Sequence, residues 1–330
     1  MKVLFGLRIP PELQKHYRDN IPENIDLIFP EVITDDILLE FAPTIDVLVA
    51  YQLSQGFMEK VEKLKHIQVP WTGSETLDFS LLKQYPHITV SNSHSNSLAI
   101  AEHAISLLLS AAKRITYRDS YMRKGDWSPR YNDENSYWIS GKTLGVIGYG
   151  AIGEKVAKIL RGGFNMRVLA IKRDPTRFNQ NNHIDFMGGP EDLSQILDDS
   201  DFILISVPLT TETEGMIGKN ELQLMKKTAI IVNISRGSII DEKALYEHLM
   251  QNKGVIAALD VWYNYPKDKK NPITLQNYPF EELDNVVMSP HSAFKVLERE
   301  KVFTEDIITN ISLIAKKKSP INQLNLDLGY

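Results

Sequence analysis

The 330-residue chain contains no cysteine. That absence removes disulfides, thiolate zinc sites, iron–sulfur ligation and a cysteine nucleophile together, and it fits a reducing compartment. Charge of one sign is also scarce. The 37 Lys and Arg stand against 42 Asp and Glu, a net of −5, so no domain-wide basic surface is on offer to nucleic acid or acidic lipid. Long apolar runs are missing too. The most apolar stretch, residues 98–112, carries Glu102 and His103, which argues against a bilayer span. The opening MKVLFGLRIP meets Arg8 before it forms the apolar core of a secretory signal. There is no low-complexity tract, and Lys316–Lys318 reads as a solvated helix end. The expectation is a cytoplasmic protein without membrane or nucleic-acid partners.

What is present is alternation. A chain of 330 residues suggests two domains. Residues 3–7, 25–29, 47–50, 67–70 and 87–90 read as strands, with helical spacing over 11–20, 34–41, 54–64 and 77–84. The pattern recurs in the second half. Strands are expected at 143–148, 167–171, 202–207, 229–233, 255–260 and 286–288, and helices at 151–160, 193–197 and 242–251. Gly162-Gly163 is expected to stop the helix that starts at Ala151. A long helix over 97–114 would join two lobes, and Val296, Phe303, Ile307, Ile311 and Ile314 form one stripe of a C-terminal helix. Such alternation predicts an α/β fold with parallel sheets covered by helices. The proline-rich loop 264–285 is long enough to suggest function.

The segment GVIGYGAIG places Gly148, Gly150 and Gly153 in a G-x-G-x-x-G pattern between a strand and a helix. Gly148 allows the tight turn, Gly150 lets the backbone approach a pyrophosphate, and Gly153 permits close helix–strand packing. The N–H groups of Ala151 and Ile152 would then face the phosphates of a dinucleotide. The following strand, RVLAIKRDP, ends in Lys172-Arg173 where NAD-reading strands end in an acid. Two cations suit a 2′-phosphate, so NADP(H) is favoured over NAD(H). The bland alternative leaves both cations solvated, with Asp174 reaching back to the ribose. No metal is expected.

Five motifs follow in order: GYGAIG, SVPLTTETEGMI, IVNISRGSIIDEKAL, ALDVW and SPHSA. Together they resemble the NAD(P)-dependent D-2-hydroxyacid dehydrogenases, a group that also contains formate and phosphite dehydrogenases. The resemblance covers most of residues 90–295. It is weak before that, resting on TGSETLD. It implies two Rossmann-like lobes: a doubly wound parallel-sheet cofactor domain, residues 97–289, inserted into a smaller flavodoxin-like substrate domain, residues 1–96 and 290–330. It also implies a cleft for substrate and a homodimer through the cofactor domain. By motif, Arg236 would clamp the substrate carboxylate through planar, bidentate hydrogen bonds. The bland reading of Arg236 is an ion pair with Asp241 or Glu242. Backbone N–H groups of Thr72 and Gly73 would take the other carboxylate oxygen. Asp260 would accept from the nicotinamide carboxamide. Val207 and Pro208 would border the adenine, Thr213 would lie near the phosphates, and Ile234 completes the cofactor-binding set. His291 would give its proton to the carbonyl oxygen. Of the other histidines, His103 is expected to hydrogen-bond inside a packed helix. His94 is a loop residue, and His16, His66, His87, His183 and His248 read as surface residues.

The departure lies in ALDVWYNYP. Where the family's common pattern carries a glutamate that pairs with the histidine, position 265 is tyrosine. A neutral phenol cannot raise the imidazole's pKa as a carboxylate does, so His291 is expected near its ordinary value of about 6.5. A loop acid at Asp268, Glu281, Glu282 or Asp284 would change that. DVWYNYPKD and Asn96 also resemble the formate enzymes. Three functions therefore stand: a reductase of small 2-keto acids with a modified acid–base pair, a dehydrogenase of formate or phosphite, and a non-catalytic cofactor-sensing protein. The first is favoured.

Overall fold

Fully buried aliphatic runs build strands such as Val47–Val49. In the computed structural model, which describes residues 1–132, 135–178, 182–266 and 277–329, the chain divides into two compact units. One is Met1–Asn96 with Lys295–Tyr330 and the other is Ser97–Phe294.

The first unit has five strands, β1 (Lys2–Phe5), β2 (Asp26–Ile28), β3 (Val47–Val49), β4 (His66–Gln68) and β5 (Thr89–Ser91). All are parallel, in the order β2-β1-β3-β4-β5. That is the flavodoxin-type order. Helices cover both faces, so β3 is buried on every residue rather than on alternate ones. The helices are α1 (Pro11–Asn20), α2 (Asp35–Phe41), α3 (Gln55–Lys60) and α4 (Phe79–Leu82). Thr34, Ser54 and Asp78 cap the last three by accepting from the N–H of Ile37, Phe57 and Leu81. The C-terminal helix, Arg299–Ala315, returns to this unit and packs Ile307 and Ile311 with Val3, Phe5 and Tyr17.

Two expectations fail here. The helix expected over 54–64 ends at Lys60, because Val61 turns extended and Leu64 enters the core. His66 is not a surface residue. It is wholly buried in β4, with its ring nitrogens against Thr89 Oγ1 at 2.9 Å and Gln68 Oε1 at 3.4 Å. Burial drives its pKa down to about 4, and the two hydrogen bonds only partly oppose that.

The second unit opens with α5 (Ser97–Lys113) and α6 (Ile115–Met122), separated by Arg114 in the left-handed conformation at φ 55°. Then follow β6 (Thr143–Ile147), α7 (Ala151–Phe164), β7 (Arg167–Ile171), β8 (Phe186–Gly188), α8 (Leu193–Asp199) and β9 (Phe202–Ile205). The series closes with α9 (Lys219–Leu224), β10 (Ile230–Asn233), α10 (Glu242–Gln251), β11 (Ile256–Leu259) and β12 (Val286–Met288). The parallel order is β12-β11-β10-β9-β6-β7-β8. Counted from β6, it is the doubly wound dinucleotide-binding order with one strand added. Alternate residues serve opposite cores. Leu144 and Val146 of β6 face α5 and α7, while Ile147 faces the side covered by α8, α9 and α10.

The glycine pair does not end α7. The helix runs through Gly162-Gly163 to Phe164 and stops at Asn165, left-handed at φ 49°. Leu160 and Phe164 continue the apolar face on both sides of the pair, and that burial offsets two poor helix formers. β8 and α9 had no signal. β8 is three residues ending in glycine, and α9 buries only Leu222. No helix of the described residues is long and apolar enough to cross a membrane.

Candidate active site

In the second unit the singled-out residues follow the C-terminal ends of parallel strands, the edge where open α/β sheets bind ligands. Gly148 follows β6, Lys172 follows β7, Val207 follows β9, Arg236 follows β10, Asp260 follows β11 and His291 follows β12.

The glycine turn is sterically defined. Gly148 has φ 98°, and a Cβ there would stand 2.7 Å from the Ser206 carbonyl carbon. A Cβ on Gly153 would meet Gly148 O at 2.5 Å, so α7 lies directly on the strand. Gly150 differs. A Cβ there would meet nothing within 4 Å, which leaves a cradle open before the helix that starts at Ala151. Ala151 and Ile152 occupy the first helical positions, whose N–H groups have no intrahelical acceptor. An open cradle over free-facing amides fits a dinucleotide pyrophosphate.

At the end of β7, Lys172 and Arg173 are half-buried, and Arg173 pairs with Glu212. Asp174 accepts from Thr176 N at 3.1 Å. In the turn after β9, Thr213 Oγ1 donates to Pro208 O at 2.6 Å and accepts from Thr210 N at 2.8 Å, so its hydroxyl closes that turn. Val207 is half-buried, Pro208 is exposed, and Ile234 is buried at the end of β10.

Arg236 is half-buried in extended backbone. Asn233 Nδ2 donates to its carbonyl at 2.9 Å, and its own Nη1 donates to Ser235 O at 2.7 Å. Asp241 and Glu242 are committed elsewhere. Asp241 caps α10 by accepting from Ala244 N at 2.7 Å, and Glu242 holds Asn277 Nδ2 at 2.6 Å. Gly237 is required beside the arginine, because a Cβ would strike Trp262 O at 2.4 Å.

Asp260 is turned into the protein and is 1% exposed. Its Oδ1 accepts from Ser289 Oγ at 2.6 Å, Ser292 N at 3.0 Å and His103 Nε2 at 3.2 Å, and its Oδ2 from Ala293 N at 3.2 Å. Burial pushes its pKa up, but the bonds from His103, Ser289 and Ser292 outweigh this and hold it below the ordinary carboxylate value. His103 therefore reaches out of its helix to the strand ends rather than bonding within it. His291 lies inside this clamp, with a left-handed φ of 52°. The Tyr265 ring lies 5.3 Å from the His291 ring, tilted by 49°, while its hydroxyl accepts from Trp262 N at 3.1 Å. Glu281, Glu282 and Asp284 are exposed on the approach to β12, and Asp268 lies outside the described residues.

In the first unit, Thr72 Oγ1 donates to Ser93 O at 2.9 Å and to Asn96 Oδ1 at 3.1 Å, so the TGSETLD loop and buried Asn96 are joined. Gly73 follows on that loop, half-buried. Two residues that the sequence did not single out support it. Asn92 Nδ2 donates to Thr72 O at 2.7 Å, and Asp306 Oδ2 accepts from the N–H of His94 and Ser95 at 2.5 and 3.0 Å. Ser289, Ser292 and Glu212 were missed likewise. Only the serines flanking His291 in SPHSA carried any signal, as short donors beside a buried acid.

The family model described as D-isomer specific 2-hydroxyacid dehydrogenase, NAD binding domain, matches residues 105–293. D-3-phosphoglycerate dehydrogenase from Methanocaldococcus jannaschii is 33% identical over 299 residues, 89% of this chain and 54% of that protein. The chain thus spans about half the length of that relative. Glyoxylate reductase from Thermococcus litoralis is 32% identical over 302 residues, 88% of this chain and 87% of that protein. A solved structure of an acyclic imino acid reductase in complex with NADPH and D-Arg is similar at TM-score 0.77 and 28% identity, over 98% of this chain and 100% of that one.

Proposed function

Because the chain belongs to the D-isomer specific 2-hydroxyacid dehydrogenase family, we propose that it reduces a small 2-keto acid of the glyoxylate or hydroxypyruvate kind. The carrying observation is the shared strand-end edge. Arg236 after β10 and His291 after β12 are two strands apart in one parallel sheet, on the order of 10 Å by strand spacing. The glycine turn after β6 stands along the same edge.

Bound NAD(P)H supplies the hydride. Gly148, Gly150 and the first amides of α7 hold the pyrophosphate. Lys172 and Arg173 take the 2′-phosphate of NADPH, and Asp174 accepts from Thr176 N beside them. Arg236 binds the substrate carboxylate and draws electron density from the adjacent carbonyl. As the carbonyl carbon accepts hydride, His291 passes its proton to the developing alkoxide, giving the 2-hydroxy acid. The Tyr265 ring packs 5.3 Å from that imidazole. A cytoplasmic setting fits the absence of cysteine. A homodimer through the cofactor unit fits the apolar side chains crowded into residues 115–138. Ile115, Met122, Trp127, Tyr131 and Trp138 are each at least 44% exposed.

A second reading, oxidation of formate or phosphite, rests on Tyr265 at the acid position, since hydride leaves formate without an alcohol proton. A panel of 2-keto acids, formate and phosphite, assayed with both cofactors at two pH values, decides. Keto-acid reduction with either cofactor, and no turnover of formate or phosphite, supports the proposal. Turnover of formate or phosphite with none of any keto acid overturns it.

A further inference from the structure

We infer that His103 is a positioning residue for His291, acting through Asp260. The inference rests on the acid–base role proposed for His291. A histidine at φ 52° occupies backbone space that L-residues seldom enter and that persists only where neighbours impose it. Here the neighbours on both sides of His291 are fixed to one carboxylate. Ser289 is held by its hydroxyl on Asp260 Oδ1 at 2.6 Å and by its N–H on Leu259 O at 2.8 Å. Ser292 and Ala293 are held by their N–H groups at 3.0 and 3.2 Å from the same side chain.

That clamp works only while Asp260 keeps its orientation, and a buried carboxylate keeps it through its donors. The donor from outside the loop is His103, 157 residues upstream on α5, with Nε2 at 3.2 Å from Asp260 Oδ1 and 3.0 Å from Ser289 Oγ. The Ser289 hydroxyl hydrogen is already directed at Asp260, and the carboxylate can only accept. Nε2 therefore carries a hydrogen and offers it to both oxygens. His103 completes the set of bonds that keeps Asp260 facing the loop, and so sets where the His291 imidazole points. Its own ring has no need to touch substrate or cofactor.

The test uses the full chain carrying His103→Leu, His103→Asn and His103→Gln. Leucine removes the donor, the shorter asparagine amide does not reach Asp260, and the glutamine amide reaches from the same position. Loss of a bond to a buried charge should lower kcat for keto-acid reduction by about tenfold to a hundredfold in the leucine variant. Cofactor Kd, followed by NADPH fluorescence, should stay within about twofold, and glutamine should restore kcat to within about fivefold of wild type. Hydrogen exchange of residues 289–294 should quicken in the leucine variant and recover with glutamine. Should leucine fail to fold, the asparagine variant serves as the donor-less case. The inference is overturned by a donor-less kcat within about twofold of wild type, by cofactor affinity falling in step with kcat, or by glutamine as slow as leucine. If the wild type reduces no keto acid, the proposed function fails, and exchange of 289–294 still judges the clamp alone. Unchanged protection in both donor-less variants sinks it.

Discussion

Two turns at the same sheet edge are built in opposite ways. The turn after β6 uses glycine where the backbone goes left-handed, at φ 98°, and so carries no strain there, with the Gly148 N–H on Ile171 O at 3.0 Å and Ser206 Oγ donating to Gly148 O at 2.7 Å. The turn after β12 places a histidine at φ 52° and must be held from outside, by Asp260 after β11 and His103 from α5. The glycine turn can be read from three glycines at the right spacing. The histidine turn shows in the sequence only as SPHSA. A loop that must offer backbone to a phosphate can be glycine throughout. On the role proposed for His291, its loop needs a side chain at the very position where glycine would be easy, so the restraint has to come from elsewhere.

The contrast can be broken at several points. Arg236→Ala should lower kcat/KM by about a thousandfold, on the order of 4 kcal/mol, while NADPH titration shows cofactor binding nearly intact. A loss below about tenfold would place the substrate elsewhere. Gly148→Ala should strike the glycine turn alone. Its Cβ would meet the Ser206 backbone at 2.7 Å, so cofactor affinity should fall by roughly a hundredfold, with stability lost on the order of 3 kcal/mol in urea unfolding. Unchanged NADPH binding would mean that this turn is not the cradle.

His66 sharpens the comparison, since it is a histidine held by burial with no strained backbone. Its folded pKa of about 4 lies below the unfolded value of about 6.5, so the unfolded chain takes up the proton first. Stability should be constant above about pH 6.5 and fall as pH drops toward 4, by about 3 kcal/mol in all. Urea midpoints from pH 4.5 to 7.5 measure this, and His66→Gln should flatten the slope. The smallest effect belongs to the β7 end. Lys172→Asp should shift the NADPH-to-NADH preference by about tenfold toward NADH, less if salt screens this half-buried site. No change in the KM ratio would detach Lys172 from the 2′-phosphate.

Most of the architecture was legible. Strand positions, the alternation and the glycine turn depend on residues within a few positions of one another, so local pattern carries them. The exceptions have particular causes. Gly162-Gly163 resembled a stop because helix propensity is local, whereas Phe164 is held helical by packing against a distant core. His66 resembled a solvated residue because a polar side chain in a strand usually is one. Here Thr89, 23 residues on, and Gln68, itself bonded by Asn310 from the C-terminal helix, receive it in the interior.

From its sequence alone this chain determined that it folds as parallel α/β units, that a glycine turn opens a helix toward a dinucleotide, and that an arginine and a histidine follow later strands. Each of these follows from residue type and spacing along the backbone. Only the tertiary structure decided that Asp260 faces the histidine loop, that His103 supplies its donor from 157 residues away, and that His66 is interior. The physical reason is shared by all three. The free energy of a buried polar group is set by which partners surround it, and those partners are brought together by the packing of elements far apart in the chain.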